Sequence, residues 1–270
     1  MTPDHAAFLR AICASPHDDL PRLVYADFLE ETEHPEHVAR AHFIRAQIAM
    51  SQFPPGSVEH DTAAGVAARC LDMFGENWAW DYPKWFRDEC QFEYRRGFPE
   101  VVTARVGHVV GHAAEFYAIT PVTDLRLTGT PLPGAFDGAV ALTGVTALRL
   151  GPHLHVAFGG DDDEALGDPL ITEAVRCPLL ANVHTLDLSQ NQLTNDWAVR
   201  FTSALPNAAF ANSLRELDLS MNFHLTDAAA NVFATTPAFD GLTRLRLKDT
   251  QITRSGAAML RRRFGTRVEV

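Results

Sequence analysis

The chain has 270 residues, of which 46% are hydrophobic and 21% charged, and its formal net charge is −11. That length is enough to bury a sizeable core, and the acid excess argues against a general affinity for nucleic acid, whose phosphates are met by basic patches. No apolar run approaches the ~18 residues of a membrane span, and the opening Met-Thr-Pro-Asp-His lacks the basic and apolar regions of a secretory signal, so a soluble cytoplasmic protein is expected.

Residues 1–90 read as helices. Thr2-Pro3 supplies a polar cap and a first-turn proline, and Phe8, Leu9 and Ile12 form the apolar face of a helix that ends near Ala14. After Ser15-Pro16-His17, the acids Asp18 and Asp19 with Pro21 open a second helix, with Leu20, Leu23, Val24, Tyr25, Phe28 and Leu29 apolar, which gives way at Glu33-His34-Pro35. A third is expected over 36–50, around Phe43, Ile44 and Ile48, and a fourth over 63–74, beyond the break Pro54-Pro55-Gly56-Ser57. Trp78, Trp80, Tyr82, Trp85 and Phe86 form an aromatic cluster, read as a hydrophobic cap that seals the first of a series of repeats, with a ligand cage as the alternative. Cys13, Cys70, Cys90 and Cys177 lack metal-ligand or redox spacing and read as small buried hydrophobes.

From residue 91 the chain repeats one spelling, Leu/Val-x-x-Leu-x-Leu. It begins at Val122, Val145, Val183, Leu214 and Leu242, with a degenerate copy at Phe98. The last three copies continue through Asn191, Asn222 or Thr250 into Leu193, Leu225 or Ile252. Starts at 183, 214 and 242 lie 31 and 28 residues apart, which leaves room for a helix in each unit. Thr194-Asn195-Asp196 and Thr226-Asp227 open such helices, Pro206 and Pro237 close them, and a last one over 253–264 precedes Gly265, a candidate left-handed cap, and a short extended end over 266–270. An earlier helix is expected over 108–117. The unit between Val145 and Val183 is longer, and its excess, Gly159-Gly160-Asp161-Asp162-Asp163-Glu164 with Gly167-Asp168-Pro169, reads as a surface loop before a helix over 170–176.

A single strand and helix cannot bury their apolar faces alone. Neighbouring units are therefore expected to stack Leu186, Leu188 and Leu193 on Leu217, Leu219 and Leu225, and these on Leu245, Leu247 and Ile252, with Asn191 and Asn222 bonded to backbone at the turns. Short parallel strands are expected near Leu125, Leu148, Leu186, Leu217 and Leu245.

Two resemblances rest on these residues. The repeated spelling with its Asn position resembles the leucine-rich repeat, and the unit length resembles the long, ribonuclease-inhibitor-like class. The stretch AFLRAICASPHDDLPRLVYADFLEE followed by ARAHFIRAQIAM is similar to a short N-terminal bacterial module, the repeat-companion domain, named for sitting in front of repeat arrays. FEYRRGFPEVV, residues 92–102, is similar to the junction by which such proteins enter their repeats. The likeness is strong over about 5–50 and looser over 70–120, and the chain departs from it at His34-Pro35-Glu36-His37, where a shorter, Gly-containing turn is expected. The resemblance implies an α/β leucine-rich repeat solenoid over 91–270, with parallel strands and outer helices, preceded by an α-helical cap domain over 1–90. It brings no catalytic residues with it, and repeats of this kind bind more often than they catalyse.

Enzyme constellations are weak. His153-x-His155 beside the acidic run suggests a metal site, and with it a hydrolase or metal enzyme, but it has neither helical His spacing nor a calcium-loop pattern. There is no Gly-x-Ser-x-Gly and no Walker-type loop, and Gly159-Gly160 lacks the context of a dinucleotide turn, so no catalytic residue, cofactor or metal ligand is assigned. The segment 244–267 holds eight bases against Asp249 alone, a basic end that could touch RNA or an acidic protein but reads first as a solvated helical cap.

Function is instead sought on the open face of the sheet, where alternation turns the residues between the leucines to solvent. The middle positions are Arg126, Arg149, Asp187, Asp218 and Arg246; those before them Asp124, Ala147, Thr185, Glu216 and Arg244; those after them Thr128, Gly151, Ser189, Ser220 and Lys248. The expectation is a non-enzymatic interaction module that holds a protein partner through Asp124, Arg126, Arg149, Thr185, Asp187, Glu216, Asp218, Arg244, Arg246 and Lys248, without nucleic acid or membrane. That face is expected to be acidic at its centre (Asp187, Glu216, Asp218) and basic at its C-terminal edge (Arg244, Arg246, Lys248). The alternative is an adaptor or regulatory subunit that docks through the helical N-terminal module.

Overall fold

The computed structural model describes residues 3–129, 144–151, 175, 177 and 180–270. His153, His155, the run Asp161-Asp162-Asp163-Glu164 and, apart from Val175, the helix expected over 170–176 lie outside the described residues. The chain forms two compact units of mixed α/β structure: residues 1–103 with 114–123, and residues 104–113 with 124–270.

The first unit begins with four helices, α1 (Pro3–Ala14), α2 (Leu20–Glu31), α3 (Pro35–Gln52) and α4 (Val58–Ala79). Helix α2 starts where Asp18 Oδ1 accepts the Leu20 N–H at 2.9 Å, with Pro21 in its first turn. Glu33, at φ +56°, is left-handed in the turn to α3, a position glycine adopts with less strain. Helix α4 starts earlier than its apolar pattern does, because Ser57 Oγ caps the His60 N–H at 3.2 Å and Glu59 and Asp61 suit the first turn.

After α5 (Lys84–Glu89) come β1 (Cys90–Arg95), which has no counterpart in the sequence reading except the junction motif, and β2 (Phe98–Arg105), which begins at the degenerate repeat copy. Arg96 and Gly97 join them with φ +48° and +89°, the signature of a type I′ hairpin turn. A Cβ on Gly97 would stand 2.3 Å from Ile44 Cγ1, so the turn and the α3 core share that space. Ile12, Tyr25, Ala26, Leu29, Ile44 and Phe98 form one core, and Phe43, Ala67, Cys70 and Trp78 another. The aromatic cluster of the sequence divides: Trp78 stacks near Phe43 and Phe74, Tyr82 and Phe86 pack on Phe92, and Trp80 is exposed.

A charged cluster fastens α2 to β2. Arg22 Nη2 lies 2.8 Å from Glu100 Oε1, both side chains fully or almost fully buried, and Arg96 Nη2 reaches Glu100 Oε2 at 2.7 Å. Arg22 also donates to the carbonyls of Asp18 and Pro16 at 2.7 and 2.8 Å. Loss of Glu100 would leave the buried Arg22 without a carboxylate and Arg96 with Asp19 alone, at 3.3 Å, a change that costs about 3–5 kcal/mol when a buried pair is broken. Helix α6 (Val106–Gly111) follows β2, and α7 (Ala113–Ile119) follows α6 where one helix over 108–117 was expected.

The second unit contains β3 (Asp124–Thr128), β4 (Ala147–Leu150), β5 (Thr185–Asp187), β6 (Glu216–Asp218), β7 (Arg244–Arg246) and β8 (Val268–Glu269), which lie side by side in chain order and are all parallel. The register aligns Leu125, Leu148, Leu186, Leu217, Leu245 and Val268, all buried. Between the later strands lie α8 (Asn195–Ala204), α9 (Asp227–Thr235) and α10 (Arg254–Phe264). Thr194, Thr226 and Thr253 cap them, each hydroxyl accepting a first-turn N–H at 3.1–3.3 Å. Gly265 ends α10 with φ +61° but ψ −128°, which is outside the left-handed helical region expected for it and in a region open to glycine alone.

Each turn after a strand repeats as well. Gln190, Met221 and Asp249 occupy equivalent positions and have φ of +61°, +59° and +54°. The next residue is Asn191, Asn222 or Thr250. Asn222 Oδ1 accepts the N–H groups of Asn191 and Leu193 at 2.9 and 3.0 Å, while its Nδ2 donates to Leu188 and Leu219 carbonyls at 3.0 and 2.8 Å. Asn191 donates likewise to Leu150 O at 2.6 Å and Ser189 O at 3.1 Å. The amide of one unit thus satisfies backbone groups of the unit before it, the structural role the sequence assigns to it.

Two measurements check this account. Asn222→Ala would leave two buried N–H groups without acceptors and is expected to cost about 3 kcal/mol or more in a urea melt, against about 1 kcal/mol for Thr250→Ala, whose hydroxyl donates to Leu247 O at 2.9 Å and accepts the Ile252 N–H at a long 3.4 Å. Gly256→Ala, a change that ordinarily adds ~1 kcal/mol to a helix, is expected to destabilise by about 1 kcal/mol. Its Cβ would meet Asp227 Oδ1 at 2.3 Å and Ile252 Cγ2 at 2.8 Å, and Asp227 is the acceptor for Thr253 N–H at 2.8 Å.

Candidate functional site

Strands of two to five residues leave little choice about which side chains face outward. In β5, β6 and β7 the central leucine is buried and both neighbours are half-buried, so Thr185 and Asp187, Glu216 and Asp218, and Arg244 and Arg246 stand on the face away from the core. The same alternation places Asp124 and Arg126 on β3 and Ala147 and Arg149 on β4. Together they line a groove of about 140 Å³ that runs across the five strands. Nine of the ten sequence-predicted partner-binding residues line it; the tenth, Lys248, does not.

The positions after the central pair behave differently from expectation. Thr128, at the end of β3, and Gly151 and Ser189, beyond β4 and β5, are buried rather than turned to solvent, whereas Ser220 is half-buried and Lys248 is exposed as expected. Asp187 Oδ1 and Asp218 Oδ1 mark the strand ends, accepting the N–H groups of Ser189 and Ser220, each at 2.9 Å.

The register places like charges side by side, Arg126 against Arg149 and Asp187 against Asp218. Opposite charges flank them. Arg149 Nε donates to Asp187 Oδ2 at 2.5 Å, and Arg246 Nη1 reaches Asp218 Oδ2 at 3.3 Å from the other side. On β8, Glu269 accepts from Arg244 Nη2 at 2.5 Å and from Lys248 Nζ at 2.9 Å, with Arg246 Nε 3.8 Å away. Asp124 lies 3.4 Å from Arg126. The acidic centre and basic edge read from sequence are therefore stitched together as cross-strand ion pairs. Glu216 faces Arg244 in register, and among the described residues it forms no ion pair.

Glu269 was the residue sequence reasoning missed on this face, since it lies outside the Leu-x-Leu spelling, although the extended end expected over 266–270 contains its strand. The basic segment around it is also used internally. Arg263 donates to Phe233 O at 2.9 Å and pairs with Asp240 at 2.6 Å, and Arg267 donates to Leu242 O at 2.7 Å.

The groove offers guanidinium forks, carboxylates, one hydroxyl and aliphatic floor, and among the described residues no imidazole or thiol lines it. Elsewhere, burial raises the thiols of Cys13 and Cys90 to about 12, which keeps them protonated and unreactive. Among the described residues no group of three His, Cys, Asp or Glu could hold a metal ion, and no helix is long and apolar enough to cross a membrane.

The closing ion pairs yield a pH test. Lys248 and then Arg244 pull the Glu269 carboxyl from 4.5 down to about 2. A carboxylate with a depressed folded-state value stabilises the fold above its unfolded value, and that stability is lost as pH falls toward the folded one. Urea midpoints should therefore fall between about pH 4.5 and 2 in the parent, and fall less steeply over that window in Glu269→Gln, which starts from lower stability at neutral pH.

No protein-family model matches this chain, and no curated protein matches it. Among solved structures it is similar to a Bacteroides fragilis protein determined by the Northeast Structural Genomics Consortium, at 16% identity and a TM-score of 0.40, over 56% of this chain and 41% of that one. The chain thus spans less than half the length of that neighbour.

Proposed function

We propose that the chain is a leucine-rich repeat protein of the ribonuclease-inhibitor-like class, with a repeat-companion module at its N-terminus, and that the open face of its repeat sheet binds a protein partner in the cytoplasm without catalysing a reaction. The repeat reading is supported by the features that recur at one register: a buried leucine, a left-handed turn residue, an amide or hydroxyl at the turn, and a threonine cap.

The observation that carries the binding reading is the charged row across five strands, lying in a groove of only about 140 Å³. Sites for small molecules enclose ~300–1,000 Å³, so this surface suits a macromolecule laid across it better than a ligand held inside it. Ion pairs fix the long side chains in advance, which lowers the ordering cost that a partner would otherwise meet. A partner that presents both signs of charge would complement it, and salt would slow the encounter.

The second reading, docking through the helical module, also has an observation behind it. Leu20 and Val24, one turn apart on α2, are 63% and 45% exposed. A photo-crosslinking residue placed at Thr185 or Glu216 in one variant and at Leu20 in another separates the two. Partner adducts are expected from Thr185 and Glu216, and adducts from Leu20 alone would move the site to α2. Once a partner is in hand, Glu216→Lys should weaken binding by about tenfold or more, because it changes an outward carboxylate that anchors no ion pair among the described residues.

A further inference from the structure

We propose that the helical unit carries a second binding site, a cavity for a small monocarboxylic acid with an apolar or aromatic body, whose carboxylate is received by Arg40. The cavity measures about 600 Å³ and lies within the first unit, walled by residues of α1, α2, α3 and α7, by Trp78 of α4 and by Phe98 of β2. Its volume falls inside the ~300–1,000 Å³ of small-molecule sites, unlike the groove on the repeat sheet.

Most of the wall is apolar: Leu9, Tyr25, Leu29, Trp78, Phe98 and Ile119. Arg40 breaks that surface. It is 8% exposed, its Nη2 donates to Gly97 O at 2.7 Å, and the phenols of Tyr82 and Tyr94 lie within reach of its guanidinium. The guanidinium carbon sits 4.6 Å from the Trp78 ring centroid and 5.3 and 5.5 Å from those of Tyr94 and Phe98, so aromatic faces hold the group in place. Trp78 is 2% exposed, and its Nε1 has no hydrogen-bond partner among the described residues. A guanidinium more than nine-tenths buried on the wall of a mostly apolar cavity, with no carboxylate paired to it among the described residues, points to an anion brought by a ligand, because buried charges are normally paired.

The chemistry narrows the ligand further. A guanidinium is charged at every accessible pH and matches a carboxylate as a planar fork. Among the described residues no carboxylate pairs with Arg40. Arg22 also has an unmatched Nε, but Glu100 neutralises that guanidinium. Of the ionised groups on the wall only Arg40 is buried; Glu36 is half-buried and Arg10 and Asp81 are exposed. One buried positive charge, with Glu36 and Asp81 on the same wall, favours a single negative charge over a phosphate dianion. His5, hydrogen-bonded to Tyr25 Oη at 3.0 Å, has its basicity lowered chiefly by burial and adds little positive charge.

Thermal melts and tryptophan-fluorescence titrations of the full chain with benzoate, phenylacetate and hexanoate test the site, with benzamide and inorganic phosphate alongside. The carboxylates should raise the melting temperature in proportion to their occupancy, benzamide should bind at least about tenfold more weakly, and phosphate should produce no shift. Arg40→Gln should weaken carboxylate binding by about tenfold or more. Because that variant also loses the bond to Gly97 and could unfold, Ala6→Phe, which fills the cavity and leaves Arg40 intact, should abolish binding independently. The proposal is overturned if no carboxylate shifts the folded protein up to roughly 10 mM. It is equally overturned if amide and acid act alike, if phosphate binds in their place, or if Ala6→Phe binds undiminished.

Discussion

The parallel register of the repeat strands is the constraint on which the candidate partner face depends. Strands β5, β6 and β7 are each three residues long with a leucine at the centre, so burying that leucine fixes both neighbours on the opposite face. A shift of one residue would bury Asp187 and Asp218 and expose Leu186 and Leu217, which the hydrophobic term alone forbids. The turns enforce the same register from the side. Asn191 and Asn222 each bond backbone groups of the preceding unit, and those bonds close only when successive units keep step. Positioning of the charged face is therefore a by-product of core packing and amide satisfaction, with no loop of its own to hold it.

That economy explains how like charges come to lie side by side. Once the register is set, Asp187 and Asp218 must be neighbours whatever their signs. Like charges opposite one another across strands destabilise a sheet, yet here each carboxylate has an arginine on its far side and a backbone N–H at its other oxygen. The net interaction is a chain of alternating contacts in which Glu269 supplies the last negative charge. Isolated surface pairs contribute ~0–1 kcal/mol, so the row adds little to stability, and its consequence lies in the fixed arrangement of donors and acceptors that it presents.

Legibility in the sequence followed periodicity. The strand positions, the buried leucines, the backbone role of Asn191 and Asn222 and the threonine caps all repeat, and a repeating signal is readable from one chain. Elements that occur once were harder. Helix α4 spans Val58–Ala79 where apolar spacing marks only 63–74, because its first turn is polar and capped and its last turn is aromatic, and α5 and β1 carry no period at all. The ion pairs of the open face were invisible for a different reason: Arg149 and Asp187 are 38 residues apart in sequence, and only the pairing of their strands brings them together. Arg40 gave no signal, since a lone arginine on an apolar helix face reads as a side chain that reaches solvent.

Comparison of the two buried arginines shows how the helical unit divides its charges. Arg22 and Arg96 converge on Glu100 and on the Pro16 carbonyl, which ties the α1–α2 turn to the hairpin strand and leaves the guanidinium of Arg22 neutralised. Arg40 reaches the same hairpin through its bond to Gly97 and is otherwise surrounded by rings, the phenols of Tyr82 and Tyr94 among them. A neutral donor such as glutamine, or an apolar side chain of similar volume, would meet the structural need of that bond at lower desolvation cost than a full positive charge. The fold thus contains one guanidinium whose charge is used by its own carboxylate and another whose charge is matched by no carboxylate among the described residues, and the second lines a cavity.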